Sequence, residues 1–126
     1  MSWTRWKAFE KQVADVVRGT RRTRVNYAES VGDVIHPKYS IECKYGKQIP
    51  NKALIGKRCV FLDKAFAQAR GYAPKKKAMV CLKKPGMRGF IMIIGYPRCT
   101  DVRVINLVAL LMLPLSLHLL GHGLVC

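Results

Sequence analysis

Apolar residues in this chain change their spacing from helical steps to strict alternation, and that change restricts the fold to a mixed helix-and-strand class. Trp3, Trp6, Phe9, Val13, Val16 and Val17 recur at three- and four-residue steps, which lays an apolar stripe along one face of a helix over 3–17. Gly19 follows as a closing residue, since glycine readily takes the left-handed conformation that ends helices. Glu10 falls on the buried stripe, because positions 3, 6, 10, 13 and 17 share a face. A carboxylate turned toward a core is costly unless something compensates it, so Glu10 is a candidate functional group.

Beyond a basic stretch over 18–24, the spacing changes to two. Alternation over 23–27 suits a strand with Val25 and Tyr27 inward, and Gly32-Asp33-Val34-Ile35 suits a second short strand. His36-Pro37-Lys38 supplies a turn, and 39–44 alternates again as the return strand of a hairpin. Asn51 follows Pro50 as an expected N-cap for a helix over 52–70, with Leu54, Phe61, Leu62, Ala65, Phe66 and Ala69 on its buried side and Gly71 at its end. Strands are expected over 78–82 and 90–94, joined through Pro85-Gly86. The order helix, three strands, helix, two strands predicts an α/β domain with a mixed central sheet. A chain of 126 residues has room for one such core, and 1–103 shows no repeat or low-complexity linker that would divide it.

Lysine and arginine total 23 against seven aspartates and glutamates, a formal net charge of +16. Such a field attracts polyanions, whether nucleic acid or an anionic membrane surface, and charge alone does not choose between them. Cys43, Cys59, Cys81, Cys99 and Cys126 are widely spaced and form no C-x-x-C pair. They are expected to be reduced core thiols, and with no N-terminal signal peptide the expected compartment is a reducing cytoplasm.

The scarce acids carry the chemistry. In Tyr39-Ser-Ile-Glu-Cys-Lys44, side-chain alternation sets Ser40, Glu42 and Lys44 on one face and Tyr39, Ile41 and Cys43 on the other. The preceding hairpin strand brings Asp33 beside them. Two neighbouring carboxylates repel when ionised, and a divalent cation such as Mg²⁺, which prefers oxygen ligands, relieves that repulsion. A cation held there polarises a phosphate and acidifies a water, while Lys44 positions that water or stabilises charge on phosphate oxygens. Glu10, projecting from the first helix, completes the expected cluster.

Gly32-Asp33, eight residues, then Glu42-Cys43-Lys44 resembles the D…E-x-K core of the PD-(D/E)XK nucleases over roughly residues 3–96. The glutamate-bearing first helix, the arginine-rich stretch, a serine just before the aspartate, and the following helix and hairpin are similar to archaeal-type Holliday junction resolvases and their phage relatives. The resemblance implies a restriction-endonuclease-like core (αβββαβ). It matches Glu10, Asp33 and Glu42 to metal ligands, with the Cys43 backbone carbonyl as a further one, Lys44 to the catalytic lysine, and Ser30 to a nucleic-acid contact. Mg²⁺ is the implied cofactor, with Mn²⁺ as an alternative. Branched DNA is the implied substrate in recombination, and a homodimer is implied because a resolvase cuts two strands symmetrically. Gly32 stands where the family usually has proline, a residue that shapes a turn and binds nothing. Gln68-Ala-Arg-Gly-Tyr72 is in turn similar to the Q-x-x-x-Y pattern of RecB-type exonucleases.

Arg18, Arg21, Arg22 and Arg24 adjoin the expected site and offer forked donors to DNA phosphates, and Lys47, just past the strand, is counted with them. Lys75-Lys76-Lys77 and Lys83-Lys84 are read as general solubility or backbone contacts. His118 and His122 have helical metal-ligand spacing but no accompanying glutamate or cysteine, so the spacing is read as chance. The apolar run 104–126 is expected to be helical and long enough to span a bilayer. Because Pro114, Ser116, His118 and Gly121 interrupt it, packing or dimerisation is expected ahead of membrane insertion. Two rival readings stay open: a nicking, restriction-like or exonucleolytic enzyme with the same chemistry, and a non-catalytic basic protein that binds nucleic acid, its acids paired with arginines.

Overall fold

Helix α1 (Trp3–Val17) forms over the residues whose apolar spacing predicts it. The computed structural model describes residues 3–21 and 33–106. At the end of α1 the left-handed residue is Arg18 (φ 58°) rather than Gly19. The Gly19 N–H donates back to the Ala14 carbonyl at 2.8 Å, the six-to-one bond of a Schellman close. Gly19 is needed for a different reason, since a Cβ there would lie 2.5 Å from the Ile35 carbonyl oxygen. Its missing side chain lets the chain turn directly into the sheet.

The strands are β1 (Thr20–Arg21), β2 (Val34–Ile35), β3 (Tyr39–Tyr45), β4 (Lys77–Lys83), β5 (Phe90–Ile94) and β6 (Asp101–Ile105). They lie in one sheet in chain order, with β3 and β4 parallel and every other pair antiparallel. The expected α/β class and mixed sheet are therefore present. Parallel pairing of β3 with β4 requires a crossover, which α2 (Asn51–Leu54) and α3 (Val60–Tyr72) supply.

Both faces of the sheet are covered. Ile41, Cys43, Tyr45, Met79, Cys81, Phe90 and Met92 pack with Phe9, Val13 and Ala14 of α1. On the other face Val80, Leu82, Ile91 and Ile93 pack with Leu62, Ala65 and Phe66 of α3. Strands β4 and β5 thus contribute alternate residues to two cores, which explains runs such as 79–82 that are apolar without a break.

Several expectations are corrected. The single helix over 52–70 is two helices, broken where Gly56 takes φ +72° and a Cβ would lie 2.4 Å from Val102 Cγ2. Pro50, not Asn51, occupies the N-cap, and the Asn51 side chain instead accepts from Lys84 Nζ at 2.8 Å. Strand β6 was not expected, and it crosses the boundary drawn at 103/104: Val104 and Ile105 pair with Ile91 and Phe90 as strand, not helix. The strand expected over 23–27, the remainder of the apolar tail at 107–126, and His118 and His122 lie outside the described residues. Among the described residues no helix is long and apolar enough to cross a membrane. Cys43, Cys59 and Cys81 are free and buried as expected, whereas Cys99 is disulfide-bonded, so the expectation of reduced thiols fails at that position.

Candidate active site

Asp33 sits where the β2–β3 ladder ends. Its backbone N–H donates to the Ile41 carbonyl at 2.9 Å, and its side-chain Oδ2 accepts the Cys43 N–H at 2.9 Å. A carboxylate thus takes the place that a strand carbonyl would occupy in a continued ladder. The N–H and C=O of one strand residue point to the same edge, so the Cys43 carbonyl faces the edge on which the Asp33 carboxylate lies. Both oxygens therefore lie along one edge of β3.

Glu42 is one residue away in β3 and turns to the α3 face, as alternation predicts. Ser40, on that face, is fully buried and its hydroxyl donates to the Ala69 carbonyl of α3. Glu42 is 4% exposed, and its Oε2 lies 3.1 Å from Lys44 Nζ. Its other oxygen, Oε1, is buried and has no hydrogen-bond partner. Burial raises the Glu42 carboxyl to about 7 from the ordinary 4.5, and the negative charge of Asp33 adds to the rise, while Lys44 offsets part of it. Buried Glu42 beside half-buried Asp33 is therefore under electrostatic strain that one lysine does not remove.

Glu10 is buried at 5% exposure, as the helical stripe predicts. It lies on α1, which covers the opposite face of the sheet from Glu42, and its charge acts on the Cys43 thiol. Burial first, then Cys81 and the surrounding acids Asp33, Glu10 and Glu42, push that thiol well above its ordinary range. Cys43 is therefore a neutral thiol at ordinary pH and not a nucleophile. The structure brings Asp33, Glu42 and Lys44 together. Among the described residues no set of three or more histidine, cysteine, aspartate or glutamate side chains is placed to hold a metal, so Glu10 does not join the other two acids in such a group. The residues nevertheless fit a divalent cation on one observation: a buried carboxylate oxygen without a partner beside a second carboxylate.

The expected nucleic-acid contacts are distributed around this centre. Lys47 is exposed in the turn that follows β3, just beyond Lys44. Arg18 is exposed at the end of α1, and Arg21 pairs through its backbone with Val34, next to Asp33. Arg22, Arg24 and Ser30 lie outside the described residues. Gln68 is exposed on α3 and Tyr72 ends that helix. Both are remote from Lys44, because α3 passes Ala69 over Ser40 before it ends.

The amino-acid pattern gave Arg70 and Arg98 no role and Lys77 only that of a general solubility or backbone contact, yet the fold gathers all three around one cavity. They come from α3, β4 and the turn after β5, and no spacing signal links such positions. Scans against family models, curated proteins and solved structures return no match for this chain.

Proposed function

We propose that this chain is a Mg²⁺-dependent DNA endonuclease of PD-(D/E)XK type, acting as a structure-selective Holliday junction resolvase. The observation that carries the reading is the partnerless buried Oε1 of Glu42, held beside Asp33 and within ion-pair distance of Lys44. Glu42 and Lys44 stand on β3, and Asp33 immediately precedes β2.

Asp33, Glu42 and the Cys43 carbonyl would hold the cation, with Mn²⁺ as an alternative to Mg²⁺. When bound, the cation supplies Lewis acidity toward the scissile phosphate and a water acidified for attack. Lys44, 29% exposed at its side chain, reaches from the buried acid toward solvent. There its ammonium steadies the negative charge that grows on phosphate oxygens as water adds and the ester P–O bond breaks. Arg18, Arg21, Arg22, Arg24, Ser30 and Lys47 would bind the DNA backbone. The branched substrate, the homodimer that symmetrical cutting requires, and a cytoplasmic location belong to the same proposal.

Purified chain is to be incubated with a four-way junction, linear duplex and single strands, with Mg²⁺ or with chelator. Selective, metal-dependent cutting of the junction is expected. Cutting of duplex or ends alone would move the assignment to another nuclease, and binding without cutting under all conditions would leave a non-catalytic binding protein. Asp33→Ala and Glu42→Ala are expected to lower cleavage at least 100-fold while DNA affinity holds or rises, since removing negative charge does not weaken phosphate attraction.

A further inference from the structure

A cavity of about 340 Å³ opens between α3, the start of β4 and the turn after β5. It lies toward the opposite end of the sheet from the acids. Lys77 pairs with Tyr39 at the start of β3, whereas Glu42 and Lys44 pair with Val80 and Leu82. Glu42 is three residue steps along β3 from Tyr39, a distance of roughly 10 Å along the sheet. Phe66, Ala78, Tyr96 and Pro97 form apolar walls, Arg70, Lys77 and Arg98 bring three positive charges, and no carboxylate contributes to the lining.

One arginine of the lining is already oriented. Arg70 Nη2 donates to the Tyr96 carbonyl at 2.6 Å, and its guanidinium lies over the Phe66 ring at 5.4 Å. Phe66 in turn stacks on Tyr96 with centroids 4.9 Å apart, and the Tyr96 hydroxyl is tied to Asp63. One of five guanidinium N–H donors is used in that bond, so an arginine held in fixed orientation keeps donors for a second acceptor.

Three other lysines in or beside β4 are committed elsewhere. Lys76 donates to the His36 carbonyl, Lys83 to Gln12 and Lys84 to Asn51. Lys77 and Arg98 are exposed, and their side chains make no hydrogen bond or ion pair among the described residues. Three cations around one concavity repel each other, and an anion placed among them removes that repulsion.

We propose that this cavity binds a phosphate ester of nucleotide size, with the phosphate held by Arg70, Lys77 and Arg98. Its volume is at the lower end of small-ligand sites, which run from about 300 to 1,000 Å³. That is more than a phosphate ion needs. The apolar walls of Ala78, Tyr96 and Pro97 take the organic part. The ester is either a free nucleotide or an unpaired nucleotide of DNA, and the site stands independently of the Asp33–Glu42 centre.

The test is calorimetric titration of the full chain, in chelator, with deoxyadenosine monophosphate, deoxyadenosine and inorganic phosphate. Saturable binding of the monophosphate is expected, at least tenfold tighter than that of the unphosphorylated nucleoside. Lys77→Glu with Arg98→Glu is expected to weaken it at least tenfold, while Glu42→Ala leaves it unchanged. Lys57→Glu with Lys64→Glu makes the same charge change at exposed positions outside the cavity, and is expected to alter binding less than twofold. Absence of saturable binding, equal binding of the nucleoside, or equal losses in the two double variants would overturn the proposal. Displacement of the monophosphate by a single-stranded oligonucleotide identifies DNA as the source, and failure to displace it identifies a free nucleotide. Either result upholds the site.

Discussion

Glu42 concentrates the physical conflict of this molecule in one side chain. Its carboxyl, raised to about 7 by burial and by Asp33, favours the protonated form in the fold, whereas the unfolded chain ionises near 4.5. The stabilisation that accompanies protonation is fully present below the unfolded value and is lost as pH rises through the folded value. Metal-free protein is therefore expected to lose on the order of 3 kcal/mol of stability between roughly pH 4.5 and 7 from this group. Glu42→Gln removes the titration. In urea denaturation with chelator at pH 8, the variant is expected to be the more stable protein, and Mg²⁺ is expected to stabilise the parent but not the variant. A parent insensitive to Mg²⁺ at that pH would count against cation binding by this carboxylate. The residue was legible beforehand because strand alternation assigns Glu42 and Lys44 to one face. Its burial was not, because α3 covers that face through contacts that local spacing does not encode.

At the scale of elements, alternation and helical periodicity located α1, β3 and β5 well, since each buries a regular stripe. They failed where tertiary contact breaks a local pattern. The helix expected over 52–70 runs through Gly56, where the chain instead turns in a left-handed conformation with Val102 of β6 packed close against it. Strand β6 itself, Asp-Val-Arg-Val-Ile, is half-polar and merges into an apolar tail, so its pairing with β5 left little local trace. Glycines separate these influences. A Cβ on Gly89 would lie 1.6 Å from the Ile105 carbonyl oxygen, while one on Gly71 of α3 meets nothing within 4 Å. Gly89→Ala is therefore expected to cost about 2 kcal/mol or more by forcing β5 and β6 apart. Gly71→Ala is expected to stabilise by about 0.5 kcal/mol through helix propensity. Denaturant midpoints of the two variants should move in opposite directions, and movement in the same direction would contradict the close approach of β6 to β5.

At the scale of the whole molecule, a net charge of +16 surrounds a sheet in which Glu42 is buried beside half-buried Asp33. Affinity for DNA should therefore come largely from released counterions. With roughly six phosphates neutralised, binding is expected to weaken about 10³-fold between about 50 and 200 mM salt. Fluorescence anisotropy across that range measures the slope. Because Glu42 is buried, Glu42→Ala should keep the same slope even as cleavage disappears. Salt-independent binding would remove nucleic acid as the partner that this charge implies.

The amino-acid sequence alone determined the α/β class, the helix that carries Glu10 and the strand that sets Glu42 beside Lys44, because each follows from side-chain period and needs only local backbone geometry. Tertiary structure decided the rest. It chose which carboxylates meet, joining Asp33 to Glu42 and keeping Glu10 on the α1 face of the sheet, and it gathered Arg70, Lys77 and Arg98 around one cavity. Those outcomes depend on which strands pair and which face each helix covers, and non-local packing alone settles that.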